Sequence, residues 1–418
     1  MNKVQQISAR LLGQNLLNFT RGGADVKIAI FTNTYWPSRN GVAIAIKLLR
    51  ECLIALGHTV LVFAPAYPGK KYNDPEGVFR FSAFGFGDYP LAKLLFVRNK
   101  ARRILIEQKV ELVYLPHPWW VSSLGLSLAK ELDLATVSVI HTQYDKMVKA
   151  VPLIGWLAKR SPIVGRLIGR ILWWKVRRFC NAVDMVTTPG FGMQKHLVSL
   201  GVNTPVWLTP NPTNLEGFGQ QDSSAIRAKL DIPTDSPVIG YTGRLVAEKN
   251  PDQLLAAFAL IRGGVQETHL LIIGDGEMRA GLERQAAKIG NVHFAGSLDH
   301  SLVAKYLAAC NLFLSASTFE VQPLTYVEAL ASGLPIVAYR SQGNEVVSDN
   351  ENGRLISLDK GPAGLAAAVI DLIINRTKLT AMSKRARVST HQFEKVVATK
   401  RTVEALCEAK KRHDLPES

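Results

Sequence analysis

Two carboxylates, Glu320 and Glu328, stand around the start of one expected helix in residues 315–335, SASTFEVQPLTYVEALASGLP. The apolar run 311–315, NLFLS, has the composition of a buried strand. Pro323 suits the first helical position, where a missing N–H costs nothing, and Gly333 closes the helix at its far end. Such a helix turns unpaired N–H groups and the positive end of its dipole toward whatever lies over the strand ends, so an anionic diphosphate is favoured there. Glu320, just before that terminus, can accept hydrogen bonds from sugar hydroxyls. Glu328, inside the helix, can take both hydroxyls of a ribose. This is chemistry suited to a sugar joined to a nucleoside diphosphate. Taken alone, the pair reads as an acidic helix start and a solvated helical glutamate, and it is the surrounding pattern that shifts the reading.

Other residues fit the same chemistry. In YTGRLVAEKNPDQLL, Arg244 and Lys249 are five residues apart on a loop ahead of Asn250, which reads as a helix cap. Both cations can converge on one diphosphate, Arg244 as a forked donor and Lys249 as a point charge, and can neutralise it as it leaves. In FTNTYWPSRNGVA, Gly41 opens a helix and lets backbone approach a ligand closely. His141, in VIHTQYDKM, ends a strand.

These residues have to be held by alternating strands and helices. A strand at 26–31, a loop at 32–41, a helix at 42–56 closed by Gly57 and a strand at 59–64 make a βαβ unit, which implies a parallel sheet. Further strands are expected at 112–115, 136–140 and 185–188, and the turn-rich 208–219, with Pro210 and Pro212, reads as an interdomain linker. A second series has strands at 238–241, 270–273, 292–294, 311–315 and 336–338, with helices begun at Asn250–Pro251, Glu277 and Asp299. The fold class is α/β: two doubly wound Rossmann-like domains facing a central cleft, with ligands beyond the carboxyl ends of the strands.

Composition agrees. At 418 residues the chain exceeds one ordinary core, and an apolar fraction of 47% is globular. No run approaches the ~20 apolar residues that span a bilayer, and residues 1–24 lack the compact apolar core and cleavage site of a signal peptide. Cys52, Cys180, Cys310 and Cys407 are widely separated, with no C-x-x-C pair, and are expected to be reduced thiols in cytosol. The formal charge of +16 calls for an acidic partner: nucleic acid, an anionic membrane or a phosphorylated substrate. Its distribution discriminates. Between Asp145 and Asp184 no acidic residue occurs, while Lys146, Lys149, Lys159, Arg160, Arg166, Arg170, Lys175, Arg177 and Arg178 fall among Trp156, Trp173 and Trp174. Ser161 and Pro162 are the expected start of a helix on which Arg166, Arg170, Trp173 and Arg177 form one stripe beside Val164, Ile168, Ile171 and Leu172. That composition suits a segment lying in the plane of an anionic membrane surface; a core-facing helix with a solvated outer face would share the periodicity. The basic residues carry no recognisable nucleic-acid-binding motif, so no nucleic-acid partner is expected.

The blocks resemble, in order, the signatures of the retaining family four glycosyltransferases with the GT-B fold. The matching pieces are the N-G-V loop at Gly41, G-R-L-x-x-E-K at Arg244 and Lys249, the strand-turn-helix G-x-G step in LLIIGDGEMRAGLE, and E-x7-E at Glu320 and Glu328, spanning residues 27–356. The resemblance implies an N-terminal extension at 1–24, an acceptor-side domain at 25–212, a nucleotide-sugar-binding domain at 213–388, and a C-terminal helix at 389–418 that crosses back to the first domain. It implies retaining transfer of a hexose from a nucleoside diphosphate sugar, of UDP-glucose or GDP-mannose type, as co-substrate, with no cofactor and no metal; no Asp-x-Asp pair occurs. The implied mechanism is front-face, with no enzymic nucleophile: Glu320 orients the sugar and stabilises positive charge at its anomeric carbon, and His141 holds the sugar from the other domain. Gly41, Arg244 and Lys249 face the diphosphate, Gly274, Asp275 and Gly276 lie near the nucleotide, and the backbone of NVHFAG reads the base.

The H-T-x-Y run, with His141 and Tyr144 on the acceptor side, and the wording Q-x-L-T-Y-x-E-A are similar to bacterial diacylglycerol glucosyltransferases. This implies a lipid acceptor, glycolipid biosynthesis, and a cytoplasmic enzyme peripheral on the inner face of the plasma membrane. Two positions depart from the pattern. Met147 stands where those enzymes often carry a second aromatic, and Pro323, where glycine is common, cannot donate an N–H, which shifts the diphosphate cradle onto Leu324 and Thr325. The alternatives are a transferase with a soluble or polysaccharide acceptor, a GT-B sugar-nucleotide epimerase needing no acceptor, and a basic nucleic-acid-binding protein.

Overall fold

Short aliphatic and β-branched runs form the strands, and capped amphipathic segments form the helices between them. The computed structural model describes residues 25–38, 40–67, 72–84, 91–92, 97–144, 161–219, 221–318, 320–341 and 344–415. The extension at 1–24, and Lys146, Met147, Lys149, Trp156, Lys159 and Arg160 of the basic stretch, lie outside these residues. The first half runs β1 (Lys27–Phe31), α1 (Gly41–Ala55), β2 (Thr59–Pro65), β3 (Val78–Phe81), β4 (Ala83–Phe84), β5 (Leu91–Ala92), α2 (Val97–Glu107), β6 (Leu112–Leu115), α3 (Trp120–Glu131), β7 (Ala135–Val139), α4 (Pro162–Cys180), β8 (Met185–Thr188), α5 (Phe191–Ser199) and β9 (Val206–Leu208). The second runs α6 (Ser224–Lys229), β10 (Val238–Thr242), α7 (Pro251–Gly264), β11 (His269–Ile273), α8 (Arg279–Ile289), β12 (Val292–Gly296), α9 (His300–Ala308), β13 (Leu312–Ser315), α10 (Leu324–Ala331), β14 (Ile336–Tyr339), β15 (Gly353–Ile356), α11 (Gly361–Ile374), α12 (Arg376–Val388) and α13 (Lys395–His413).

Two parallel sheets result, β3-β2-β1-β6-β7-β8-β9 and β12-β11-β10-β13-β14-β15. In both, the first strand of the series lies inside the sheet, paired in parallel with β2 and β6 for β1 and with β11 and β13 for β10. The chain reverses its winding direction there, so the loops after β1 and β10 open over a crevice where ligands settle. Each sheet is apolar on both faces. Ala29 and Phe31 of β1 enter one core cluster with Val113 and Leu115, while Ile28 and Ile30 enter the opposite one with Leu112 and Tyr114. The second sheet alternates likewise, Ile239 and Tyr241 against Val238.

The halves are joined twice. After β9 the chain crosses to the second domain through residues 209–214, and Thr213 N donates to Phe393 O at 2.9 Å where the returning chain runs alongside. From there α13 goes back to the first domain, giving Val403, Leu406 and Ala409 to the core that holds Ile28 and Ile30.

Candidate active site

The carboxyl ends of the two sheets face a cleft of about 750 Å³ lined by both domains. Gly41 and His141 border it from the first domain, and Arg244, Lys249, Asp275, Glu320, Leu324, Thr325 and Glu328 from the second.

Three strand-end loops of the second domain are stitched into one surface. Gly243 N donates to Ile273 O at 3.0 Å, Leu245 N to Asp275 O at 2.9 Å, and Gly274 N to Gly296 O at 2.8 Å. A Cβ on Gly274 would lie 1.9 Å from Gly243 O, and one on Gly276 would lie 2.4 Å from Leu245 O, so these glycines are required by loop-on-loop contact. Asp275 sits at the rim, accepting from Gly276 N at 2.8 Å and pairing with Arg279 at 3.0 Å; these donors hold its carboxyl below the usual range.

Lys249 ends a short 3-10 turn, and Asn250 then adopts the left-handed region at φ 50°. Asn250 stands at the N-cap of α7, as its sequence predicts, but its side chain makes no capping bond: the amide reaches across to donate to Ala316 O at 3.0 Å, tying the Lys249 loop to the segment after β13. That bond brings the Lys249 ammonium to Glu320 Oε1 at 2.7 Å, a contact between two motif blocks that local spacing did not reveal. Arg244 donates to Glu248 at 2.9 Å from a half-exposed position. An exposed pair of this kind is worth little and is readily exchanged for a phosphate.

Pro323 is the cap of α10 rather than its first residue: its backbone is extended, with φ −71° and ψ 116°, and the helix begins at Leu324. Leu324 and Thr325 are therefore the first helical residues, whose N–H groups have no carbonyl within their own helix, and both line the cleft. Glu328 is not a solvated helical glutamate. It is 8% exposed, and Oε1 accepts from His300 Nε2 at 3.1 Å. On the opposite wall, Asn40 caps α1 by accepting from Ala43 N at 2.8 Å, and a Cβ on Gly41 would meet nothing within 4 Å. Among the described residues nothing crowds Gly41, which leaves room for an anion at this helix start.

His141 follows β7. Burial pushes its imidazole down to about 4, and that of the neighbouring His117 down to about 3, so both rings are neutral at neutral pH. Among the described residues, His141 Nδ1 and His117 Nε2 have no hydrogen-bond partner. His117 was not singled out from the sequence, although it lies two residues past β6, the strand beside β7. Other contacts across the cleft were likewise invisible in sequence. Gln143 donates to Glu320 O at 2.8 Å, Asn211 N donates to Gln322 Oε1 at 2.9 Å, and Glu345 accepts from Phe191 N and Gly192 N at the start of α5.

Two expected positions are corrected. Tyr144 does not line the cleft: it is 2% exposed, and Trp119 and Trp173 meet its ring at centroid distances of 5.3 and 5.7 Å, because aromatic packing of the first core takes it inward. Trp173 is not a surface residue of α4 either. It is 7% exposed and points inward with Val176 and Phe179, whereas Trp174 is 50% exposed. Ser161 caps α4 through Val164 N, as its sequence predicts. Arg166, Arg170 and Arg177 are exposed, as are Ile163, Leu167, Ile171 and Trp174, so basic and large apolar side chains share the solvent side of this helix. No helix among the described residues is long and apolar enough to cross a membrane.

Comparison with known proteins accords with this geometry. The models for Glycosyltransferase Family 4 and for Glycosyl transferases group 1 match residues 39–216 and 222–389. The chain belongs to these glycosyltransferases. It is similar to the alpha-monoglucosyldiacylglycerol synthase of Streptococcus pneumoniae (strain ATCC BAA-255 / R6), 28% identical over 387 residues that cover 89% of this chain and 84% of that protein. The enzyme of the same description from Acholeplasma laidlawii is 28% identical, covering 90% of this chain and 95% of that protein. Among solved structures, Anabaena HepE in complex with UDP superposes with a TM-score of 0.71 at 17% identity, covering 92% of this chain and 100% of that one, which establishes the GT-B architecture.

Proposed function

We propose that the protein is a retaining hexosyltransferase that carries a hexose from a nucleoside diphosphate sugar, of UDP-glucose or GDP-mannose type, to a membrane lipid such as diacylglycerol, without a metal ion or cofactor. The observation that carries this reading is the Lys249–Glu320 contact, in the same cleft as the N-terminus of α10 and the neutral His141 of the opposite domain. Lys249, Arg244 and the N–H groups of Leu324, Thr325 and Gly41 take up the charge of the diphosphate, and Glu328 takes the ribose. Glu320 orients the hexose and offsets positive charge developing at its anomeric carbon. The acceptor hydroxyl bonds to that carbon on the face from which the diphosphate departs; the carbon–oxygen bond to the diphosphate breaks, and the hydroxyl proton passes to a phosphate oxygen.

The lipid acceptor is supported by the two relatives described as monoglucosyldiacylglycerol synthases and by the exposed side of α4. A helix offering Ile163, Leu167, Ile171 and Trp174 together with arginines fits an anionic bilayer surface, with the enzyme held peripherally on the inner face of the plasma membrane. The test is incubation with labelled UDP-glucose and GDP-mannose, with EDTA present, and with or without diacylglycerol in anionic vesicles. The expected product is a labelled glycolipid with the anomeric configuration of the donor. Donor turnover without vesicles, or transfer only to water-soluble acceptors, contradicts it.

A further inference from the structure

The Glu328 carboxylate, assigned to the donor ribose in the reading above, already has a partner in the protein. His300 is the first residue of α9, one element away in space, and its Nε2 lies 3.1 Å from Glu328 Oε1. A carboxylate only accepts, so Nε2 carries the hydrogen. The imidazole also meets the buried ring of Phe218, from the linker region, at a centroid distance of 5.1 Å. His300 and Glu328 both line the cleft.

We propose that His300 is a positioning residue of the ribose subsite: held by Phe218 and Glu328, it fixes one carboxylate oxygen and leaves the other to accept the ribose hydroxyls. This rests on the donor-site reading above. Glu328 also holds the imidazolium, so His300 titrates above its ordinary 6.5. The charged group facing it from a neighbouring element is Glu328; Asp299 precedes it on its own, and Arg244, Lys249, Asp275 and Glu320 line the same cleft. The bond is charge-assisted on both sides below that titration and on one side above it, so nucleotide affinity falls as pH rises through it.

The experiment is calorimetric binding of UDP and GDP, with inorganic pyrophosphate as the control lacking ribose, at several pH values between 6 and 9. The whole chain is compared with its His300→Ala, His300→Gln and Glu328→Gln variants. His300→Ala is expected to weaken binding of the better nucleotide about tenfold, the scale of one hydrogen bond to a charged group, while pyrophosphate binding stays unchanged. His300→Gln, whose amide nitrogen can occupy the place of Nε2, is expected to restore most of the affinity and to flatten its pH dependence. If Glu328→Gln weakens nucleotide binding but His300→Ala leaves both affinity and pH profile unaltered, His300 does not position the carboxylate. If pyrophosphate binding drops equally in His300→Ala, the residue supports the fold rather than the ribose. If Glu328→Gln itself changes nothing, the donor-site reading fails and this inference with it.

Discussion

The second domain meets the cleft with charge already paired, Lys249 with Glu320, Arg244 with Glu248 and His300 with Glu328. The first domain meets it with the helix start at Gly41, the half-buried aliphatics Val42, Ile44 and Leu48 of α1, and His141, which burial keeps uncharged, as it does the neighbouring His117 behind it. Lys47 on this side lies over the Trp36 ring at 4.6 Å. A paired wall can exchange partners with an incoming diphosphate without a lone ion ever being stranded. The uncharged His141 and the aliphatic side chains of the other wall suit an uncharged hydroxyl arriving on an apolar acceptor. The contrast explains how one cleft could hold an anionic donor and a neutral acceptor without either occupying the other's place.

The largest expected effect comes from breaking the paired wall at its centre. Lys249→Met removes the ammonium from the leaving group and leaves Glu320 without its cation, and kcat/KM for hexose transfer is expected to fall on the order of 100-fold. Turnover within a factor of about 3 of wild type would remove Lys249 from the chemistry.

The uncharged state of the buried histidines behind this wall is tested through acid stability. His117 titrates at about 3 and His141 at about 4 when folded, against 6.5 ordinarily. Between those values the unfolded chain binds protons that the folded one refuses. Stability is therefore present above pH 6.5 and is lost as pH falls toward the folded values. Urea midpoints are expected to drop over this window more steeply in wild type than in His117→Asn, and parallel profiles would contradict the buried neutral pair.

Glu328→Ala is expected to weaken nucleotide binding by about 1.5–3 kcal/mol through a lost charged hydrogen bond, read by calorimetry. The smallest effects per residue lie on α4. Reversing Arg166, Arg170 and Arg177 to Glu is expected to release the protein from anionic liposomes in flotation, at about 1 kcal/mol for each charge, while donor binding is retained. Wild type that ignores such liposomes would remove the membrane role from this face.

Interior strands were legible because they are buried on both sides and therefore read as unbroken apolar runs, as in KIAIF of β1 and HLLII of β11. The sheet-edge strands β3, β9 and β15, with sequences VFRF, VWL and GRLI, were not anticipated: VFRF and GRLI interrupt a short half-buried run with an arginine, and VWL is only three residues long. At the site, Arg244, Lys249, Glu320 and Glu328 were legible because each lies in a local block beside a strand end. Their partners were not. Lys249 reaches Glu320 only because Asn250 bonds across to Ala316, and His300 reaches Glu328 only because α9 and α10 are neighbours in space. Helical periodicity marked α4, but could not tell that Trp173 turns into the aromatic cluster around Tyr144 while Trp174 faces solvent.

The central claim, that both lobes grip an activated hexose while cations and helix N-termini absorb the departing charge, is tested most directly by a crystal structure with a nucleoside diphosphate hexose bound. The account predicts Lys249 Nζ and the Arg244 guanidinium within about 3 Å of diphosphate oxygens, Glu328 on the ribose, and the hexose between Glu320 and His141. A nucleotide lying outside this cleft, or a diphosphate contacting neither Lys249 nor the start of α10, would contradict it.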